Sequence, residues 1–169
     1  TADRSISMMD TALRRRFEFV EKMPDSDVIR ENVGDNGIID TVDVAEILDI
    51  LNKRIRVLYD REHTLGHAFF INNQTMEDLQ KTFENKILPL LQEYFYDDFR
   101  KIKAILNDSQ EIYIRNEKGS LADIFDTNIL DEWIEEDSGH YELITSVSIK
   151  EFEKFITNIA NPISGAVNE

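Results

Sequence analysis

Residues 43–58 read DVAEILDILNKRIRVL, and this stretch decides the fold class of the chain. Asp43 can accept hydrogen bonds at the start of a helix, and Glu46 follows three residues later, as in a capping box. The apolar residues after Asp43 recur at helical spacing and should form one buried stripe. They are Val44, Ile47, Leu48, Leu51, Ile55 and Leu58. We therefore predict an amphipathic helix over this stretch.

Two later helices begin with the same kind of signal. Thr75 is followed by Asp78, and Ser148 is followed by Glu151, each at capping-box spacing. The apolar positions that these helices should bury are Met76, Leu79, Phe83 and Ile87 in the first, and Ile149, Phe152, Phe155, Ile156 and Ile159 in the second. Both segments therefore predict amphipathic helices.

The chain between these two helices contains a helix breaker. Pro89 lacks a backbone donor, so the helix that begins near Thr75 should kink or restart there. Apolar spacing over residues 91–106 predicts one further helix, which ends near Asn107. Residues 124–134 could form a short helix.

The strand-like patterns are short. Residues 17–20 and 111–115 alternate between apolar and polar positions, and residues 141–147 are rich in β-branched side chains. Residues 25–42 are polar, contain two glycines and predict a connection without regular structure. We therefore expect a mainly α (α+β) fold with a few short strands near the C-terminus.

Composition sets further limits. The chain has 169 residues, which suits one domain or a small domain with an appended piece. It contains no cysteine, which excludes disulfides, thiolate metal ligands and a cysteine nucleophile. No apolar run approaches the roughly 20 residues of a membrane span. We therefore expect no membrane partner and a cytoplasmic location.

The net charge of −15 is unevenly distributed along the chain. Such a charge repels nucleic acid, so the chain itself should not bind duplex DNA tightly. Residues 1–16 are basic, because they hold four arginines against two aspartates. This basic segment is a candidate anion site. In the alternative, its arginines pair with the acidic remainder of the chain.

Three blocks of sequence, in order, resemble the McrB family of AAA+ nucleotidases. TADRSI at residues 1–6, with DTALRRRF at residues 10–17, resembles the family's stretch that leads to an arginine-rich helix end. YDREHTLGHAFF at residues 59–70 resembles its Asp-Arg, Gly-His and aromatic block. NKILPLLQEYFYDD at residues 85–98 resembles its helical block around a proline. The remainder, residues 107–169, shares no such block.

The resemblance implies a domain organisation. Residues 1–24 would be the end of an AAA+ large subdomain, with its sensor and arginine-finger region. Residues 25–106 would be a helical lid, and residues 107–169 a C-terminal α+β extension of the lid. No Gly-x-x-x-x-Gly-Lys-Ser/Thr phosphate loop occurs among the 169 residues. The phosphate loop and the magnesium ligand are therefore expected N-terminal to this chain, which would be the C-terminal part of a longer parent protein.

The arginines of the first block are the leading catalytic candidates. Phosphoryl transfer needs positioned positive charge near the γ-phosphate, and an arginine fork stays charged and binds two oxygens at once. The resemblance implies that Arg15 and Arg16 act in trans on the nucleotide of a neighbouring subunit, whereas Arg14 is structural. The alternative for each is a cation at a helix C-terminus that faces the helix dipole.

The resemblance also implies nucleotide-binding residues. Asp3 and Arg4 lie just after the position of the family's sensor asparagine, and Arg61 could be a basic sensor that the lid offers to the nucleotide. Asp3 could instead cap the following helix. His67 lies beside an apolar run and is more simply a packed structural residue.

No metal site is expected. His63 and His140 are far apart in sequence and show no repeated ligand spacing. Residues 135–137, Glu-Glu-Asp, are most simply a solvated face, although they could hold a divalent cation loosely.

Two functions from different classes are compatible with these features. By resemblance, the parent protein would hydrolyse GTP or ATP with Mg²⁺ in a homo-oligomeric ring. It would work with a McrC-type nuclease subunit and cut modified DNA, which N-terminal parts outside this chain would contact. The chain alone should be inactive and should need no cofactor. The alternative is a non-catalytic helical module whose acidic surface binds a protein partner.

Overall fold

The computed structural model describes residue 18, residues 20–116 and residues 141–160. The chain divides into two compact units, Thr1–Thr82 and Phe83–Glu169. The described residues are mainly helical, with two small antiparallel sheets of two strands each. The predicted fold class is therefore confirmed, while the domain boundaries at residues 24 and 106 stay a prediction.

The first unit contains three helices, one hairpin and one 3-10 turn among its described residues. They are α1 (Asp27–Asn32), β1 (Ile38–Ile39), β2 (Val42–Asp43), α2 (Val44–Leu58), the 3-10 turn His67–Phe69 and α3 (Met76–Thr82). In the hairpin, Ile38 pairs with Asp43 and Ile39 pairs with Val42.

The predicted connection at residues 25–42 is wrong, because this segment contains α1 and the hairpin. These elements are too short to show an apolar period, because α1 has 6 residues and buries Ile29 alone, and each strand has 2 residues. Its glycines are structural. Gly34 has a φ of +47°, and a Cβ there would lie 2.0 Å from the carbonyl oxygen of Ile38. A side chain at this position would therefore collide with the backbone of β1.

The carboxylate of Asp43 begins α2, as predicted. Its Oδ1 accepts a hydrogen bond from the backbone N–H of Glu46 at 2.9 Å. Its Oδ2 forms an ion pair with Arg30 Nη1 at 3.0 Å, so the same side chain ties α1 to α2. The predicted stripe is buried except at its last member, Leu58, which is 38% exposed. The helix ends at Leu58, so no further turn covers that side chain.

Asn52 is a buried polar residue on α2, with 3% exposure. Its Nδ2 donates to the carbonyl oxygen of Leu65 at 2.9 Å, and its Oδ1 accepts from the N–H of Leu65 at 2.6 Å. Both backbone groups of the buried Leu65 are thus satisfied by one amide. The loop that follows α2 is fixed to the helix at this point.

Replacing Asn52 with alanine should destabilise the chain by about 2–4 kcal/mol, because two buried backbone groups of Leu65 would lose their partners. Urea unfolding followed by circular dichroism measures the change. Lys53→Ala is the matched control, since Lys53 is the next residue of the same helix and is exposed. That control should stay within about 0.5 kcal/mol of the parent chain. Equal stability of the two variants would contradict this reading of Asn52.

The capping box predicted before α3 is confirmed. Thr75 Oγ1 accepts from the N–H of Asp78 at 3.1 Å, and Asp78 Oδ2 accepts from the N–H of Thr75 at 3.2 Å. The neighbouring Gln74 reaches α1, where its Nε2 donates to the carbonyl oxygen of Asn32 at 3.0 Å. The start of α3 is thereby joined to the end of α1.

The second unit contains a π-helical turn, three helices and a two-stranded sheet among its described residues. They are the π turn Phe83–Ile87, α4 (Leu88–Phe95), α5 (Phe99–Leu106), β3 (Ile114–Asn116), β4 (Tyr141–Leu143) and α6 (Ile149–Ala160). The strand predicted at residues 111–115 is thus shifted toward the C-terminus, and the one at 141–147 is shorter than predicted. In this sheet, Ile114 pairs with Leu143 and Asn116 pairs with Tyr141.

The helix restarts at Leu88, with Pro89 in its first turn, as predicted. The single helix predicted over residues 91–106 is wrong, because Tyr96 and Asp97 adopt positive φ angles of 50° and 58° and separate α4 from α5. Asp98 then caps α5 by accepting from the N–H of Lys101 at 3.3 Å. Apolar spacing continues across the break, which is why the pattern did not reveal it.

Aromatic rings form the core of the second unit. Phe83 makes edge contacts with Phe152 and Phe155, and Tyr113 makes one with Phe155 at a centroid distance of 4.8 Å. The Tyr113 hydroxyl donates to Glu84 at 3.0 Å, which satisfies the polar end of this buried ring. The predicted capping box before α6 is confirmed, since Ser148 N–H donates to Glu151 at 2.9 Å.

Asp108 organises the turn between α5 and β3. Its side chain is buried and accepts three backbone hydrogen bonds, from Ile112 at 2.8 Å, Tyr113 at 2.9 Å and Ile114 at 2.8 Å. These bonds satisfy a buried charge with fixed dipoles.

Several predicted elements lie outside the described residues. These are the possible helix at 124–134, Phe17 and Phe19 of the first predicted strand, and the end of the chain after Ala160. Glu18 and Val20, which are described, belong to no regular element. Within the described ranges, every helix is too short or too polar to cross a membrane.

Candidate functional site

The loop after α2 is folded around the carboxylate of Asp60. Its Oδ1 accepts from the N–H groups of Glu62 at 2.7 Å and His63 at 3.0 Å, and the His63 ring nitrogen Nδ1 lies 2.8 Å from the same carboxylate. Burial acts to raise the pKa of Asp60, but these hydrogen bonds outweigh it and hold the pKa below its ordinary value. The turn places Arg61 at an exposed corner.

Acidification should open this turn. Because the pKa of Asp60 is lower in the folded chain than in the unfolded one, its stabilising contribution is complete above about pH 3.9 and is lost as the pH falls through the lower folded value. The backbone amides of Glu62 and His63 should shift together in an NMR titration of this range. In Asp60→Asn, which has no carboxylate to titrate, the same transition should be absent. Its persistence in that variant would assign it to another group.

Arg61 is paired with carboxylates on both sides. Its Nη2 forms an ion pair with Glu21, and its Nε lies 3.6 Å from Glu62 Oε1. The bond with Glu21, followed by the charges of both carboxylates, raises the pKa of Arg61. All three side chains are at least 60% exposed, so the pairs add little stability and can exchange partners.

An open cleft of about 270 Å³ lies beside Arg61. One wall is formed by residues 21–24, and the other by residues between Arg61 and Ala68. The charged side chains of the lining balance, because it contains Lys22 and Arg61 as well as Glu21 and Glu62. The cleft is thus polar, carries replaceable ion pairs and has room for part of a small ligand.

His67 joins the two walls of this cleft. Its ring nitrogen Nδ1 accepts a hydrogen bond from the backbone N–H of Asp25 at 3.0 Å. We predicted His67 to be a packed structural residue. The ring is only half-buried, and it also makes this polar contact. Sequence patterns could not indicate this partner, because the two residues lie 42 positions apart.

Of the predicted site residues, the structure describes only Arg61, which lies in the cleft. Asp3, Arg4, Arg14, Arg15 and Arg16 lie outside the described residues, as do His140 and residues 135–137. In the part of the chain that is described, no group of three or more His, Asp or Glu side chains is arranged to hold a metal ion. Glu21 lines the cleft and pairs with Arg61, and sequence patterns did not point to it.

The helical stretch that carries the Arg61 loop is similar to a known domain. Residues 43–103 match the family model described as the alpha-helical lid domain of McrB. The resemblance inferred from the sequence blocks is therefore confirmed over this region.

A curated relative extends the likeness. Over 113 aligned residues, the chain is 30% identical to the "Type IV methyl-directed restriction enzyme EcoKMcrB subunit" of Escherichia coli (strain K12). The match covers 58% of this chain and 24% of that subunit. The chain thus corresponds to about a quarter of the length of this relative.

Proposed function

We propose that this chain is the lid-bearing part of a McrB-like AAA+ nucleoside triphosphatase that powers a modification-dependent DNA restriction complex. The observation that carries the proposal is the lid-family match over residues 43–103. The likeness to a methyl-directed restriction subunit supports the wider system. The nucleotide would be GTP or ATP with Mg²⁺, held by a phosphate loop elsewhere in the parent protein.

Arg61 is the residue through which the lid would sense nucleotide. It is exposed, it lines the cleft, and its present partners are two exposed carboxylates. Phosphate oxygens accept from a guanidinium in the same geometry as a carboxylate does. A bound nucleotide would therefore replace Glu21 as the partner of Arg61, and Glu21 would hold Arg61 when no nucleotide is bound.

This competition predicts opposite effects for the two sides of the ion pair. In the parent protein, Arg61→Ala should weaken nucleotide binding by about tenfold, the usual scale for loss of one charge-assisted hydrogen bond. Glu21→Gln should strengthen binding by up to about fivefold, since exposed ion pairs contribute at most about 1 kcal/mol. Titration with a fluorescent GTP or ATP analogue measures both.

Glu62→Gln is the matched control, because Glu62 lies farther from the guanidinium than Glu21 does. It should change the affinity less than Glu21→Gln. Nucleotide affinity that is unchanged in Arg61→Ala would remove Arg61 from the site.

The ring and its partners complete the proposal. Arg15 and Arg16 would act in trans on the nucleotide of the next subunit in a homo-oligomeric ring, and Asp3 and Arg4 would contribute to nucleotide binding beside the sensor position. A McrC-type nuclease subunit would use the free energy of nucleotide hydrolysis. Other parts of the parent protein would contact modified DNA. Positive charge supplied in trans stabilises the transition state of phosphoryl transfer.

Arg16→Ala in the parent protein should reduce turnover by about 10³–10⁵, the range for loss of a trans arginine. Nucleotide affinity should change much less, because charge on the transferred group develops in the transition state. Phosphate release and nucleotide titration separate the two effects. Mixing this variant with a subunit whose phosphate loop is inactivated should restore part of the activity. If mixed rings assemble and remain inactive, the arginine acts within its own subunit or supports the fold.

A non-catalytic helical interaction module is the second candidate. The net charge of −15 and the exposed apolar side chain of Val57 on α2 favour it. Such a module would bind its protein partner equally well with and without nucleotide, and Arg61→Ala would leave that binding unchanged. The nucleotide titration of the parent protein therefore separates the two functions.

A further inference from the structure

One wall of the cleft belongs to a short linker segment, residues 21–25, which contacts the loop after α2 at both of its ends. At one end, Glu21 pairs with Arg61 through two exposed side chains. At the other end, the backbone N–H of Asp25 donates to His67 Nδ1 at 3.0 Å. These two contacts differ in kind, because only the second involves the backbone of the linker segment.

The backbone that carries the His67 ring is held by a turn. His67 begins the 3-10 turn His67–Phe69, and its carbonyl oxygen accepts from the N–H of Phe70 at 2.9 Å. Phe70 is fully buried and anchors the turn. A ring nitrogen that accepts a hydrogen bond carries no proton, so the neutral ring is the tautomer protonated at Nε2.

The donor is equally well placed. Asp25 Oδ1 accepts from the N–H of Asp27 at 3.0 Å, which shapes the turn into α1. The N–H of Ile29 then donates to the carbonyl oxygen of Ser26 at 3.0 Å in the first turn of that helix. The hydrogen bond to His67 therefore fixes the linker segment immediately before α1 begins.

We infer that His67 is a positioning residue, which holds the linker segment against the loop after α2 and so maintains one wall of the cleft. The ion pair of Arg61 can be exchanged for a ligand, because rotation of the two side chains breaks it. The bond of His67 breaks only when the half-buried ring of His67 turns away, since rotation of a side chain in the linker leaves the backbone N–H in place. The linker segment thus stays attached when Arg61 releases Glu21.

This role does not depend on nucleotide, so it can be tested in the chain itself. The variants are His67→Asn, His67→Gln and His67→Ala. An asparagine oxygen can take roughly the place of Nδ1, whereas a glutamine oxygen falls nearer to Nε2. The readouts are the solvent-exchange rate of the Asp25 amide by NMR at neutral pH, and the rate of trypsin cleavage after Lys22.

In His67→Ala and His67→Gln, exchange at Asp25 and cleavage at Lys22 should both accelerate by about fivefold or more, the ratio that corresponds to loss of one ordinary hydrogen bond. His67→Asn should stay close to the parent chain. Arg61→Ala is the matched control, because it removes the other contact and should leave the Asp25 amide unchanged.

The amide of Leu65, which donates to Asn52, reports on the loop as a whole. If the Leu65 amide also exchanges faster in His67→Ala, the comparison of His67→Asn with His67→Gln tests the role of the acceptor. Both side chains are amides, and they differ in where they place the acceptor oxygen. Unchanged exchange at Asp25 in His67→Ala would overturn the inference. Equal acceleration in His67→Asn and His67→Gln would overturn it as well, because packing of the ring would then be what matters.

Discussion

The amide of Asn52 is the interaction on which the candidate site depends. It satisfies both backbone groups of Leu65 in a buried position, where neither could find water. A loop that follows a helix is ordinarily mobile, but here it is fastened to the middle of α2. The residues on either side of Leu65, Arg61 and His67, can therefore present a charge and an acceptor at defined places.

The cleft combines a weak contact with a fixed one. The ion pairs of Arg61 are exposed and contribute little to stability, so they can be broken at low cost. The hydrogen bond from Asp25 to His67 uses a backbone donor and a ring held by the 3-10 turn. Loss of the Arg61 ion pair therefore leaves the hydrogen bond between Asp25 and His67 in place.

Local signals in the sequence predicted much of the fold. The caps at Asp43, Thr75 and Ser148, together with the apolar stripes behind them, placed three helices, because caps and stripes depend on residues within a few positions of each other. The break at Tyr96 was missed, since the left-handed conformation occurs there without a glycine. Asn52 and His67 could not have been found in this way either, because their partners lie 13 and 42 residues away.

At the turn between α5 and β3, the acidic residue Asp108 binds backbone N–H groups of its own chain. Its three converging N–H groups form what elsewhere would be a receptor for phosphate or sulfate, and here the anion is supplied by the chain itself. Asp108 is one of the acidic residues counted in the net charge of −15, and it is buried, where dissolved salt screens a charge poorly. The corner between α5 and β3 thus carries its own anion, because the three N–H groups already bind the carboxylate of Asp108.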